Sequence, residues 1–344
     1  MAYGNDVSVY VEDKAGDLGA SPSPAPWWIS PDVDIPAHTG EAAQGSNDVR
    51  IRVHAHEEPF VEVKIAAEVY VGKPGFVLSP TTGTKRIDPG NLLFRPANVP
   101  GTEPIADEPG GTLTFPWTPS SVAADIDGPG HRCLILRAFP VDVTPPTTPF
   151  DVPNEQHEAQ HNLEILTTTK KQMDMSDGGA GTPKNPRGRD RNTGLWWEEF
   201  TTMAVGKEGK RFVVWAFDPE PSTEIVAIFR KSLKKGTFKG FSGRPPGKVT
   251  FEALGTSGRE VDPGTLLGDG KFVGKSGLGK GLFSERRIVG AASLDLSLKR
   301  LSGLLMRFDL SDLDEHTAVV LHGAQYSAAG RPEGGMTVVA LAPV

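Results

Sequence analysis

The chain has 344 residues, enough for two domains with separate cores, and its 40 Gly and 30 Pro with few aromatics suit many turns joining short strands, as in all-β sandwiches. A single cysteine, Cys133 in "HRCLILRAF", excludes an intramolecular disulfide and a cysteine-based zinc site, and is expected to pack as a small apolar core residue. No run reaches the length of a membrane span, no secretory leader is legible in "MAYGNDVSVYVEDKAGDLG", and the net charge of −7 divides into −13 over residues 1 to 169 (10 Lys plus Arg, 23 Asp plus Glu) and +6 over residues 170 to 344 (26 and 20). Beyond solubility, opposite charges on the two halves point to head-to-tail contact between copies. Nucleic acid is not expected as a partner: "FRKSLKKGTFKGF" clusters Arg230, Lys231, Lys234, Lys235 and Lys239 beside Phe229, Phe238 and Phe241, but the acidic half repels phosphates.

Residues 1 to 30 read as an N-terminal arm. Val7, Val9 and Val11 give "VSVYV" the one-sided apolar face of a short strand, and the turn-rich "EDKAGDLGASPSPAP" follows. Such a strand can pair with a sheet edge of its own chain or of a neighbour, so these three valines are the candidate assembly residues. From residue 31 to 169 strands come regularly. "NDVRIRVHAHEE" sends Val49, Ile51, Val53 and Ala55 inward and Arg50, Arg52, His54 and His56 outward, and "FVEVKIAAEVYVG" repeats the pattern with Val61, Val63, Ile65, Ala67, Val69 and Val71. "GTLTFPWTP" and "GHRCLILRAFPVDV" add strands, and "NLEILTTT" is expected to close the unit.

The order of "SPDVDI", "NDVRIRVHAHEEPFVEVKIAAEVYV", "FPWTP", "GHRCLILRAF" and "NEQHEAQHNLEIL" resembles a bacterial immunoglobulin-like β-sandwich, similar to the cell-adhesion-related (CARDB-like) domains of surface and secreted proteins. The resemblance covers about residues 6 to 169. It implies an adhesive or structural module without catalytic residues, at an extracellular or cell-surface location. Residues 170 to 194, "KKQMDMSDGGAGTPKNPRGRDRNTG", read as a polar Gly/Pro-rich linker or exposed loop. Residues 195 to 344 hold eight strand candidates, "EIVAIFRKSL" among them, which suit a second antiparallel sandwich of Ig-like or jelly-roll-like type.

Four chemical signals stand out. His157-Glu158-Ala159-Gln160-His161 is a literal HExxH, the signature of a zinc metalloprotease, whose two His share one helix face while the Glu polarises a water. Pro145, Pro146, Pro149 and Pro153 leave no room for a long helix before it, and Leu163, Ile165 and Thr167 alternate after it, so a polar loop-to-strand junction is expected instead. On that expectation, replacing His157 and His161 by Ala costs about 0.5 kcal/mol or less. Gly274, Gly279 and Lys280 match GxxxxGK, but Gly281 replaces the Mg²⁺-binding hydroxyl residue and Asp269 stands where the alternative frame needs Gly. Asp13 and Asp17 before Gly19, and Asp125 and Asp127 before Gly128, offer oxygen ligands for calcium or serve as ordinary turn residues. Trp27-Trp28 and Trp196-Trp197 are expected to place one ring of each pair in a core and the other outside, as wedge, contact residue or carbohydrate platform. Together these point to a non-enzymatic, self-associating structural or adhesive subunit. No catalytic, cofactor or metal residues are assigned, and its partners are expected to be its own copies and possible surface or carbohydrate ligands.

Overall fold

The computed structural model describes residues 3, 9–23, 26–36, 41–42, 45–55, 65–75, 78–90, 92–94, 112–122, 125–128, 130–166, 188–190, 195–202, 211–231, 238–246, 249–253, 266–270, 289–296, 302–310, 312–314, 316–327 and 329–342. These fall in two units, Met1–Leu163 and Glu164–Val344, each built almost wholly of antiparallel strands.

In the first unit the alternation of apolar and polar residues sets the register. Along Asn47–Arg52, Val49 and Ile51 are fully buried while Asp48 and Arg52 face solvent. The strand pairs with Val33–Asp34 on one side and Thr112–Trp117 on the other. A second sheet runs Glu158–His161, Cys133–Pro140, Ile65–Gly72, Thr84–Arg86, with Leu92–Phe94 also on Ile65–Gly72. Val49, Ile51 and Phe115 from the first sheet meet Ile65, Val69, Leu134 and Leu136 from the second in one core, which makes the unit a sandwich. Cys133 lies outside this cluster and is buried as a free thiol whose Sγ takes Gln160 Nε2 at 2.9 Å.

The N-terminal segment is part of this core. Val9–Tyr10 pairs antiparallel with His54–Ala55, the Val11 N–H donates to the Gln156 carbonyl (2.9 Å), and Gln156 Nε2 donates to the Val9 carbonyl (2.8 Å). Val9 and Val11 lie within the hydrophobic cluster of their own unit, so of the two pairings open to the arm the chain makes the intramolecular one. Val7 lies outside the described residues. Another difference concerns the end of the unit. Glu158–His161 already occupies the sheet edge beside Cys133–Pro140, so the place expected for "NLEILTTT" is filled by the four preceding residues. Leu163–Leu166 stands instead next to Pro332–Leu341, at the edge of the second unit's sheet.

The second unit has a sheet ordered Leu163–Leu166, Pro332–Leu341, Thr317–Tyr326, Arg211–Asp218, Val289–Leu296, and another ordered Gly188–Asp190, Leu195–Thr202, Ser302–Asp309, Val249–Ala253, Leu266–Gly270. Gly188–Asp190, within the expected linker, is thus a paired strand. The stretch "EIVAIFRKSL" forms the helix Thr223–Lys231 rather than a strand. Its buried residues Ile225 and Phe229 are four apart, the helical spacing, and Ser222 accepts the Val226 N–H at its carbonyl (3.0 Å) and the Ile225 N–H at its hydroxyl (3.4 Å). Gly323 sits under the Trp215 indole, where a Cβ would come within 2.9 Å of ring atoms; the missing side chain is what lets the largest residue of that core lie flat on the strand.

Candidate functional site

The HExxH stretch folds as strand, not helix. Glu158–His161 is paired residue for residue with Cys133–Pro140, His161 opposite Leu134 and Glu158 opposite Arg137. In extended chain, positions four apart are separated by about 13 Å, whereas two imidazoles on one zinc ion each reach it at about 2 Å. The two His are therefore committed separately. His157 Nδ1 lies 2.7 Å from Glu155 Oε1 and its ring stacks on Tyr3 (centroids 4.6 Å apart), while His161 Nδ1 lies 2.9 Å from the Ser30 carbonyl oxygen. Both are buried, at 2% and 9% exposure, so the expectation of an exposed, freely replaceable junction does not hold. Glu158–His161 is a strand additional to Leu163–Leu166, the one that the apolar alternation predicts; only Ala159 of its four residues joins the hydrophobic cluster, and hydrogen bonds to the N-terminal segment hold the edge position.

These residues form a polar seam. Tyr3 donates to Glu158 Oε1 (2.6 Å), Ser21 Oγ to the Asn154 carbonyl (2.6 Å), the Ser23 N–H to the Pro153 carbonyl (2.8 Å), and the Ser30 N–H to the Gln160 carbonyl (2.9 Å). The Asn162 N–H donates to the Trp28 carbonyl (2.9 Å), and Ile29 bridges His161. Trp27 and Trp28 are both buried, edge to face at 4.7 Å, so neither ring is offered to a ligand; a segment laid over a sheet edge and covered on both sides has no outward face. The side chains of Trp196 and Trp197 lie outside the described residues. Behind the seam Arg137 is fixed by the Glu68 carboxylate, the Pro146 carbonyl (2.7 Å) and the Tyr70 hydroxyl (2.9 Å).

Burial pushes Glu158 up to about 7, against the opposing hydrogen bonds from Tyr3 and the Asp151 N–H, and burial likewise raises Asp13 well above the carboxylate range. Burial lowers His161. A carboxyl with a raised folded pKa contributes stability that is complete below its unfolded value of about 4.3 and is lost as pH rises through the folded one. The His161 contribution runs the other way and is lost as pH falls below about 6.5. The urea midpoint of the first unit is therefore expected to drop between pH 6 and pH 8. For Glu158 the full span from its unfolded to its folded pKa is worth on the order of 3 kcal/mol. Glu158→Gln removes that share of the slope. A midpoint that stays level or climbs over this interval contradicts the assignment.

The acidic pairs noted in the sequence are turn residues. Asp17 accepts the backbone N–H groups of Asp13 and Lys14 at Oδ2 and of Gly19 at Oδ1, each at 3.0 Å, and Asp13 Oδ2 accepts from Ser23 Oγ (2.7 Å). Asp125 accepts from Ser120 Oγ and Asp127 from Lys85 Nζ, each at 2.5 Å. A different set converges: one ligand atom from each of Glu12, Asp32 and His54 lies within 4.8 Å of the others. They come from the N-terminal segment, the turn before Val33–Asp34 and the strand His54–Ala55, with no spacing that a motif would reveal.

In the second unit Thr337 Oγ1 lies 2.8 Å from His322 Nδ1, and His322 Nε2 lies 3.0 Å from Asp218 Oδ2. Hydroxyl, imidazole and carboxylate in line is the connectivity of a nucleophilic triad. Here the His and Asp side chains and Thr337 are at 0% exposure, so no substrate reaches the hydroxyl and the line works as a structural tie. Phe229, Phe238 and Phe241 pack on one another at 5.0 to 5.7 Å, a small apolar cluster rather than a platform for bases. Gly274, Gly279, Lys280, Lys234 and Lys235 lie outside the described residues.

No protein-family model and no curated protein matches the chain, so the CARDB-like resemblance has no counterpart at the family level. Among solved structures the chain is similar to "Biofilm associated protein - B domain" over 86% of its own length and 80% of that chain, at 8% identity and a TM-score of 0.24. It is also similar to "Enterococcal surface protein, partial N-terminal region" over 88% and 90%, at 6% identity and a TM-score of 0.28.

Proposed function

We propose that the protein is a non-enzymatic structural or adhesive subunit that associates with its own copies. The observation that carries this reading is the fate of the HExxH stretch: the one segment with a metalloprotease signature is an edge strand whose His and Glu side chains hold the N-terminal segment in place. The second arrangement with catalytic connectivity, Thr337–His322–Asp218, is sealed from solvent. Two antiparallel β-units in which Glu158, His157, His161 and His322 are spent on internal ties suit a load-bearing or display role, in keeping with the surface modules the first half resembles.

Self-association rests on charge. The −13 of residues 1 to 169 and the +6 of residues 170 to 344 favour head-to-tail contact, which is heterologous and propagates. The contact is assigned to these surfaces and not to the N-terminal strand, whose Val9 and Val11 are held in their own core. Light scattering on the purified chain is expected to show association that weakens as salt rises from about 0.05 to 0.5 M, as exposed charges are screened. A chain monomeric at every salt concentration, or association that strengthens with salt, overturns the charge-led contact. Zinc bound stoichiometrically and lost on His157→Ala would reinstate the protease.

A further inference from the structure

We propose that Glu12, Asp32 and His54 form a binding site for a divalent transition-metal ion of the zinc class, which locks the N-terminal segment onto the first sandwich. Asp32 is buried, at 1% exposure, and its Oδ1 has no hydrogen-bond partner. Its Oδ2 takes the Glu12 backbone N–H at 2.7 Å. His54 Nε2 stands 2.9 Å from the same Oδ2, yet the ring nitrogen makes no hydrogen bond. A buried carboxylate oxygen without a donor is costly, and so is an imidazole nitrogen beside that carboxylate but off the N–H···O line, while the ligand atoms of Asp32, His54 and Glu12 lie within 4.8 Å of one another. A cation there satisfies both.

The surroundings fix the ligands. Tyr10 stacks on the His54 ring (centroids 5.1 Å apart, planes at 18°), and Tyr10 is itself backed by Gly19, whose φ of +72° and lack of a side chain let the Asp13–Gly19 turn close on it. The Ser30 hydroxyl accepts the Asp32 N–H (3.0 Å) and donates to the Glu12 carbonyl, tying two of the three ligand segments together. Glu12 and His54 are only partly buried, so an ion has an approach from solvent. One imidazole nitrogen with two carboxylates selects zinc-class ions over Ca²⁺ and Mg²⁺, which take oxygen ligands and more of them. Three protein ligands leave a fourth, tetrahedral position for water or for a side chain of another molecule.

The site is independent of the self-association reading, because ion uptake is measured directly. The full chain, stripped with chelator and titrated with Zn²⁺, is expected to take up a single equivalent and to melt at a higher temperature. Co²⁺ in its place is expected to show the visible absorption of a four-coordinate site. His54→Gln, at a half-buried position, is expected to abolish both the uptake and the thermal shift, and Glu12→Gln to weaken uptake at least tenfold; the second variant keeps the test open if the first misfolds. Resistance of residues 1 to 20 to protease is expected to rise with Zn²⁺ in the wild type alone. No uptake by the wild type, uptake unchanged in both variants, or a thermal shift equally large with Ca²⁺ overturns the proposal.

Discussion

Deleting residues 1 to 20 is expected to unfold the first unit rather than release a folded monomer. The deletion removes Tyr3, Val9, Tyr10 and Val11, all at 5% exposure or less. Burying a side chain of this size is worth about 1.5–3 kcal/mol, so the four together approach the whole stability of a domain, about 5–15 kcal/mol. The deletion also strips partners from what remains. Glu158 loses the Tyr3 hydroxyl, the Gln156 carbonyl loses the Val11 N–H, and Asp32 loses the Glu12 N–H. Each becomes a polar group in a site built to exclude water, which adds about 1–3 kcal/mol apiece. Near-UV circular dichroism and urea titration of the truncated chain should show the first unit's transition gone while the second unit's persists. A truncated chain that keeps both transitions would mean the segment is a dispensable arm after all.

The sandwich was legible where alternation is strong. Val49, Ile51, Val53, Ile65, Ala67, Val69 and Val71 were placed inward by period two and are buried, because a residue flanked by polar neighbours on a strand has one face on which to hide. What the sequence obscured is the polar part of the interior. The Glu158–His161 strand carries Glu, Ala, Gln and His, all buried, and nothing in that composition announces burial, since its stability comes from backbone pairing and side-chain ties to residues 3 to 30. Contacts across some 130 to 155 residues leave no local spacing to read. The same holds for Glu12, Asp32 and His54, which are twenty or more positions apart. The helix Thr223–Lys231 was missed for a different reason: Ile225, Ile228 and Phe229 fit a helical stripe, but a short apolar run fits a strand nearly as well, and the Ser222 cap was the discriminating signal.

The second large effect is expected at Asp218. Its carboxylate holds His322 Nε2 at 3.0 Å, with both side chains at 0% exposure, and its Oδ1 also accepts the Glu220 N–H at 3.0 Å, closing the turn that leads into the helix. Asp218→Ala leaves a buried imidazole facing a cavity and frees the turn. Removing a carboxylate that partners a buried imidazole costs more than the about 1–3 kcal/mol of an ordinary buried hydrogen bond left unsatisfied. Thr337→Val, on the opposite side of the ring, deletes one hydrogen bond while keeping the shape, so its cost should stay near 1–3 kcal/mol. Urea titration followed by the transition of the second unit should rank the two variants in that order, with the first unit's transition unmoved in both. Hydrogen exchange along Thr317–Tyr326 and Pro332–Leu341, the strands that carry His322 and Thr337, should accelerate most in Asp218→Ala. If Asp218→Ala proves as stable as the parent chain, or if the loss appears in the first unit, then the Asp218–His322–Thr337 line is not the tie that holds this sheet.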